Sequence, residues 1–230
     1  MKKYLIVACA VLGTLGMSII TMAENENFGI HVQVGQVLNE AYSHQTDMDE
    51  DGDEILEHGT SAIIYSSDVE QAKKFYEIAG QSESEAEKNA LDYVEKREAL
   101  YEEAIKNGYS VTDEEVWDYI EELKEIIQRA DNKSDADAIM SQFNSEEDYW
   151  EYEFYVYKKN LPIQNYVRDL EKNFNANQSD TYLEEDNVDS NTGDAWISYF
   201  EQYKKMLVEQ QKFEKSNSVM DLFMMKEGVV

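Results

Sequence analysis

Three pairs of residues share one spacing and confine this chain to a helical fold. Ser67 with Glu70, Ser82 with Glu85 and Thr112 with Glu115 each place a hydroxyl three residues before a carboxylate. That spacing lets each side chain satisfy a free backbone donor at a helix start. Each pair also opens a stripe of apolar residues at helical intervals. The first stripe is Val69, Ala72, Tyr76 and Ala79, and Gly80 stops it. The second is Leu91, Val94, Leu100, Tyr101, Ala104 and Ile105, ended by Gly108. The third, Val116, Ile120, Leu123, Ile127 and Ala130, is cleanly amphipathic. A single Pro among 230 residues fits long helices better than many short strands.

The remaining pattern is less regular. Residues 24–60 read as an acidic extension, with His31-Val32-Gln33-Val34 as a short strand and the run from Asp47 to Glu57 as a solvated loop. Ser61 to Tyr65 is an apolar burst suited to one strand. Ser134 is expected to start a short helix through Phe143, and Ser145 to cap the next. Leu161-Pro162 should break that helix, since the residue before proline avoids the helical region. Another helix then runs from Ile163 to about Phe174. Residues 175–194 read as a polar loop. Trp196, Phe200, Tyr203 and Leu207 mark a last helix before an apolar tail, Val219 to Met225.

Residues 1–23 have the form of an export signal. Lys2 and Lys3 precede an apolar run from Tyr4 to Met22, and Thr21-Met22-Ala23 offers small residues for cleavage. The run is also nearly long enough to be an uncleaved anchor, the one route by which this chain would meet a membrane. The only cysteine, Cys9, lies inside it, so the exported part has no thiol chemistry and no disulfide. An extracytoplasmic location follows from this reading.

Charge narrows the partners. With 49 acidic and 20 basic residues the formal charge is −29, and loss of Lys2 and Lys3 takes it to −31. Such a surface repels phosphate backbones, so nucleic acid is excluded as a partner. No phosphate-binding glycine loop, Cys/His cluster, GxSxG or HExxH is present. His31, His44 and His58 lie in the weakly patterned part, and no carboxylate pair is marked out for catalysis, so no enzymatic activity is expected.

The segment from Ile63 to Phe174 resembles the N-terminal chaperone region of exported SurA/PrsA-type folding factors, related to the trigger-factor fold. The resemblance rests on Ser67-Asp68-Val69-Glu70, on Ala90-Leu91-Asp92-Tyr93-Val94-Glu95-Lys96-Arg97, and above all on Ala104 to Val116 with its Gly108-x-x-Val111-Thr112-Asp113-Glu114-Glu115-Val116 core. Ser145-Glu146-Glu147-Asp148-Tyr149-Trp150 looks like the start of the family's next helix. The resemblance implies an all-α chaperone domain over residues 61–174, with minor β structure on its N-terminal side. A returning helix in residues 195–230 is also implied. In many relatives an isomerase domain precedes that helix; here residues 175–194 stand in its place and cannot hold one.

The function so implied is that of a holdase binding unfolded or newly exported polypeptide without prolyl isomerisation. Adaptable aromatic surface kept soluble by charge suits that task. Tyr149 to Tyr157 supplies seven aromatic or apolar residues around Glu151 and Glu153, more than one helix face can bury. Trp150, Phe154, Tyr157 and Leu161 form one stripe, and Tyr149, Tyr152 and Val156 another. One is expected to pack inward and the other to contribute to a client cleft; the alternative is that both are buried.

A second functional reading is a secreted or surface calcium-binding interaction protein. Asp47, Asp49 and Asp51 with Gly52 match the first half of a calcium loop, but His58 stands where a bidentate Glu is required. Apart from that possibility no cofactor is expected. A carbohydrate-active enzyme is the third reading.

Overall fold

A computed structural model describes residues 28–47, 53–181 and 192–216. The expected export signal with Cys9, the acids Asp49 and Asp51, and the apolar stretch Val219 to Met225 all lie outside the described residues. The chain runs α1 (Phe28–Asp47), β1 (Ile55–His58), β2 (Ile63–Tyr65), α2 (Ser66–Ile78) and α3 (Glu83–Lys106). It continues through α4 (Asp113–Gln128), α5 (Lys133–Met140), α6 (Glu146–Thr181), α7 (Thr192–Gln211) and β3 (Glu214–Lys215). The fold is all-α with a small antiparallel sheet of order β2-β1-β3.

Two of the three expected caps form. The Glu85 carboxylate accepts from the Ser82 backbone N–H at 3.2 Å, and that of Glu115 from the Thr112 N–H at 2.7 Å. Gly80 and Gly108 end α2 and α3 at φ +90 and +87, a conformation that costs glycine nothing. At the first pair the expectation fails: α2 starts two residues earlier, with Tyr65 at the N-cap position, and the Ser67 hydroxyl donates to Asp53 instead of capping. The stripes are otherwise inward, with Val94, Leu100, Ala104, Val116, Ile120, Leu123 and Ile127 buried, whereas Ile105 is 40 % exposed.

Residues 28–47 form a helix, not the strand expected at His31–Val34. Val34, Val37, Leu38 and Tyr42 are buried at helical spacing and pack with α4, α5 and the first half of α6. Gly35 permits this, because a Cβ there would lie 2.6 Å from the Ile139 carbonyl oxygen of α5. The end of the expected acidic loop is strand β1, with Glu57 only 6 % exposed. The expected short helix at Ser134 ends at Met140, before Phe143.

Pro162 does not break its helix. α6 is one helix of 36 residues, about 54 Å long, with Pro162 fully buried inside it. Leu161 and Ile163 on either side are buried as well, so packing on both flanks outweighs the backbone hydrogen bond that proline cannot make. Of the residues expected as a loop at 175–194, both ends are helical: α6 continues to Thr181 and α7 begins at Thr192.

Three hydrophobic clusters result. One joins α1, α2, α4, α5 and early α6; a second joins α3, mid-α6 and α7 through Leu100, Ile163, Tyr166 and Leu207. The third sets β2 on α2 and α3 through Ile64, Ala72 and Val94. Helix α7 returns along α3 and is pinned at its end. There the Gln211 side-chain oxygen accepts from the backbone N–H groups of Ser61 and Ala62 at 2.9 and 3.1 Å. Among the described residues no helix is long and apolar enough to cross a membrane.

Candidate functional site

A cleft of about 680 Å³ opens between α1, α2 and α6, with α3 at its back. The helical stripes that form it leave their outer edges facing each other. From α1 come Val37 and Ala41; from α2, Phe75 and Gln71; from α6, Tyr152, Tyr155 and Val156. Tyr65 at the end of β2 and Tyr93 of α3 complete an apolar, tyrosine-rich lining. Tyr155 is 47 % exposed, so the lining remains accessible. The Tyr152 hydroxyl accepts from the Gln71 side-chain amide at 2.7 Å, closing one corner of the floor.

Two cations and two carboxylates at the cleft are paired into a near-neutral network, and Asp53 and Glu70 line it as well. Arg97 lies between Asp68 at 2.8 Å and Glu98 at 2.6 Å, and Lys159 of α6 reaches Glu98 at 2.8 Å. Burial would push the Asp68 carboxyl up, but the charges of Arg97 and Lys159 outweigh it and hold the group below the usual carboxylate range. Burial likewise opposes the Arg97 charge, and Asp68 and Glu98 more than restore it. This network braces α2, α3 and α6, because removing one partner strands a desolvated charge. On the rim Lys74 of α2 pairs with Glu40 of α1 at 2.5 Å. The site thus combines adaptable aromatic walls with locked charges.

Of the six residues expected to bind clients, Tyr152 and Val156 reach this cleft. The other four do not. Tyr149, Trp150 and Tyr157 are 3, 6 and 1 % exposed, enclosed by α1, α4 and Phe143. Phe154 stacks on Trp117 of α4 at 4.9 Å between ring centroids. The stripe Trp150, Phe154, Tyr157 and Leu161 packs inward, and of the second stripe Tyr149 is enclosed while Tyr152 and Val156 contribute to the cleft lining. The helix has a third edge, at Tyr155 and Lys159, and that edge faces the cleft. Arg97 was also legible in principle: Arg97-Glu98 interrupts the apolar stripe of α3, where charge persists only if paired. Tyr65 and Tyr93 carry no such signal.

One buried and one half-buried carboxyl lie elsewhere. Glu153, 0 % exposed, has no hydrogen-bond partner of good geometry among the described residues. Burial pushes it up to about 7, with the Tyr149 hydroxyl pulling weakly the other way. Glu95 of α3 is also pushed up to about 7, by burial and then by the neighbouring Glu57 of β1.

Of the candidate calcium ligands only Asp47 is described, as the last residue of α1. Among the described residues no group of three potential ligands is placed to hold a metal ion.

No protein-family model matches the chain, nor does any curated protein or solved structure.

Proposed function

We propose that this protein is an exported holdase that binds unfolded or newly secreted polypeptide in the cleft between α1, α2 and α6, without isomerase activity. One observation carries the reading: an open cleft lined by tyrosines and aliphatic side chains, on a body whose charge is −29. Tyrosine offers broad contact area at low entropic cost and accepts many partners, while surface acid keeps such an apolar opening from self-association. The paired state of Arg97, Asp68, Glu98 and Lys159 leaves the walls without a strong charge preference, which suits varied clients. The resemblance to SurA/PrsA-type chaperone regions points the same way, as does the export signal.

The test is suppression of aggregation of a reduced, chemically unfolded client by the wild type and by a Tyr155→Ser, Val156→Ser double variant. The variant should lose most of the suppression with its melting temperature little changed. Equal suppression by both proteins would remove the cleft from the account, and no suppression by the wild type would end the holdase reading.

A further inference from the structure

The way the chain leaves the described residues points to an occupant for the cleft. Strand β3 is antiparallel to β1, with Lys215 opposite Glu57, and the Ser216 N–H donates to the Leu56 carbonyl at 2.9 Å. Extended past Ser216, the same antiparallel line would run beside Ile55 and Glu54 toward Asp53. Asp53 lines the cleft and holds the Ser67 hydroxyl there. The apolar stretch Val219-Met220-Asp221-Leu222-Phe223-Met224-Met225 begins three residues after Ser216. Three extended residues cover about 10 Å, and the seven of the stretch about 23 Å. The cleft walls are shorter: Val37 to Gln45 on α1, and Tyr152 to Asn160 on α6, each rise about 12 Å.

Reach and chemistry agree. The stretch is rich in Met and Phe, and the cleft presents Tyr65, Tyr93, Tyr152 and Tyr155, against which thioether sulfur and aromatic rings pack well.

We propose that Val219–Met225 docks in the cleft between α1, α2 and α6 of its own chain and competes there with polypeptide clients. The competition rests on the holdase reading; the docking does not, so the two are tested by separate measurements. Tethering by a few residues gives the stretch an effective concentration of about millimolar. A client must therefore displace it, and weak or short clients are turned away.

Docking is read by disulfide trapping in full-length protein carrying Cys9→Ala. Ala41→Cys is paired with Met220→Cys, Leu222→Cys or Met224→Cys, and exposed Ile197→Cys replaces Ala41→Cys as the control. At least one cleft pair should close within the monomer about tenfold faster than its control. Rates equal to the control, or disulfides formed only between two chains, would overturn docking and in the second case assign the contact to a second copy. Competition is read with a fluorescent unfolded polypeptide. Leu222→Asp with Phe223→Asp should tighten its binding by about tenfold, and adding Tyr155→Ser should abolish the gain. Unchanged client affinity beside successful trapping would overturn competition while leaving docking in place. No client binding by any version, again with successful trapping, would end the holdase reading alone.

Discussion

Along α6, the aromatic run Tyr149–Tyr157 is enclosed by α1, α4 and the Phe143 turn, while Phe174, farther on, meets a tilted Trp196 at 5.6 Å and stacks on Tyr199 of α7 at 4.9 Å. The two regions are built of the same aromatic and acidic residue types. Yet Tyr157 is 1 % exposed, whereas Tyr199 is 37 % and Ile197 61 % exposed. Enclosure follows the number of elements that surround a helix: several around early α6, a two-helix arm around its far half. Aromatic density therefore does not by itself mark a binding surface. The face left over after packing does, and near the body that face is the edge bearing Tyr155.

The largest effect that would sharpen this contrast belongs to Tyr157. Tyr157→Ala should destabilise the protein by about 3–5 kcal/mol through the cavity it leaves, measured by denaturant unfolding. A loss under about 1 kcal/mol, the scale of a surface change, would mean that early α6 is far less enclosed than described.

Next comes the buried carboxyl beside it. Glu153 is held protonated up to about 7, against an ordinary value of 4.5. Between those values the folded state binds more protons than the unfolded one, so stability falls as pH rises through this window and stays low above it. Glu153→Gln should leave stability near pH 4 unchanged and raise it at pH 8, by on the order of 3 kcal/mol at most. Glu95, also pushed up to about 7, acts in the same direction, so the variant should keep a smaller fall over the same window. Melting temperature against pH checks both points, and parallel curves for wild type and variant would exclude a buried acidic Glu153.

A smaller change is expected at the exposed cap of α4, where the Glu115 N–H donates to the Thr112 hydroxyl oxygen at 3.2 Å. Thr112→Ala should cost about 1 kcal/mol. The smallest effect belongs to the arm: Ile197→Ser should stay within about 0.5 kcal/mol. A large loss there would show that the arm is enclosed after all and break the comparison from the other side.

How much was legible follows the range of the signal. The caps at Ser82 and Thr112 and the glycine stops at Gly80 and Gly108 depend on a few adjacent residues, and they appear as read. The stripe of α4 is buried at four of its five positions for the same reason. Helix α1 was obscured by its β-branched valines and by Gly35, which weaken helical preference locally and make sense only against α5. Pro162 misled for a related reason: its local penalty is real, but buried neighbours on both sides outweigh it. At the cleft, Tyr152 and Val156 were found through the aromatic run, whereas Tyr65, Tyr93 and Arg97 come from three other parts of the chain. Nothing in their local sequence brings them together.

The sequence alone determined that the chain is helical, acidic and capped at set places, because capping and amphipathic spacing act within a turn or two of helix. Only tertiary packing decided which aromatic edge of α6 stays open, since burial depends on elements far apart in the chain. The same holds for the path of β3 beside β1, which is set by hydrogen bonds to a strand more than a hundred residues earlier.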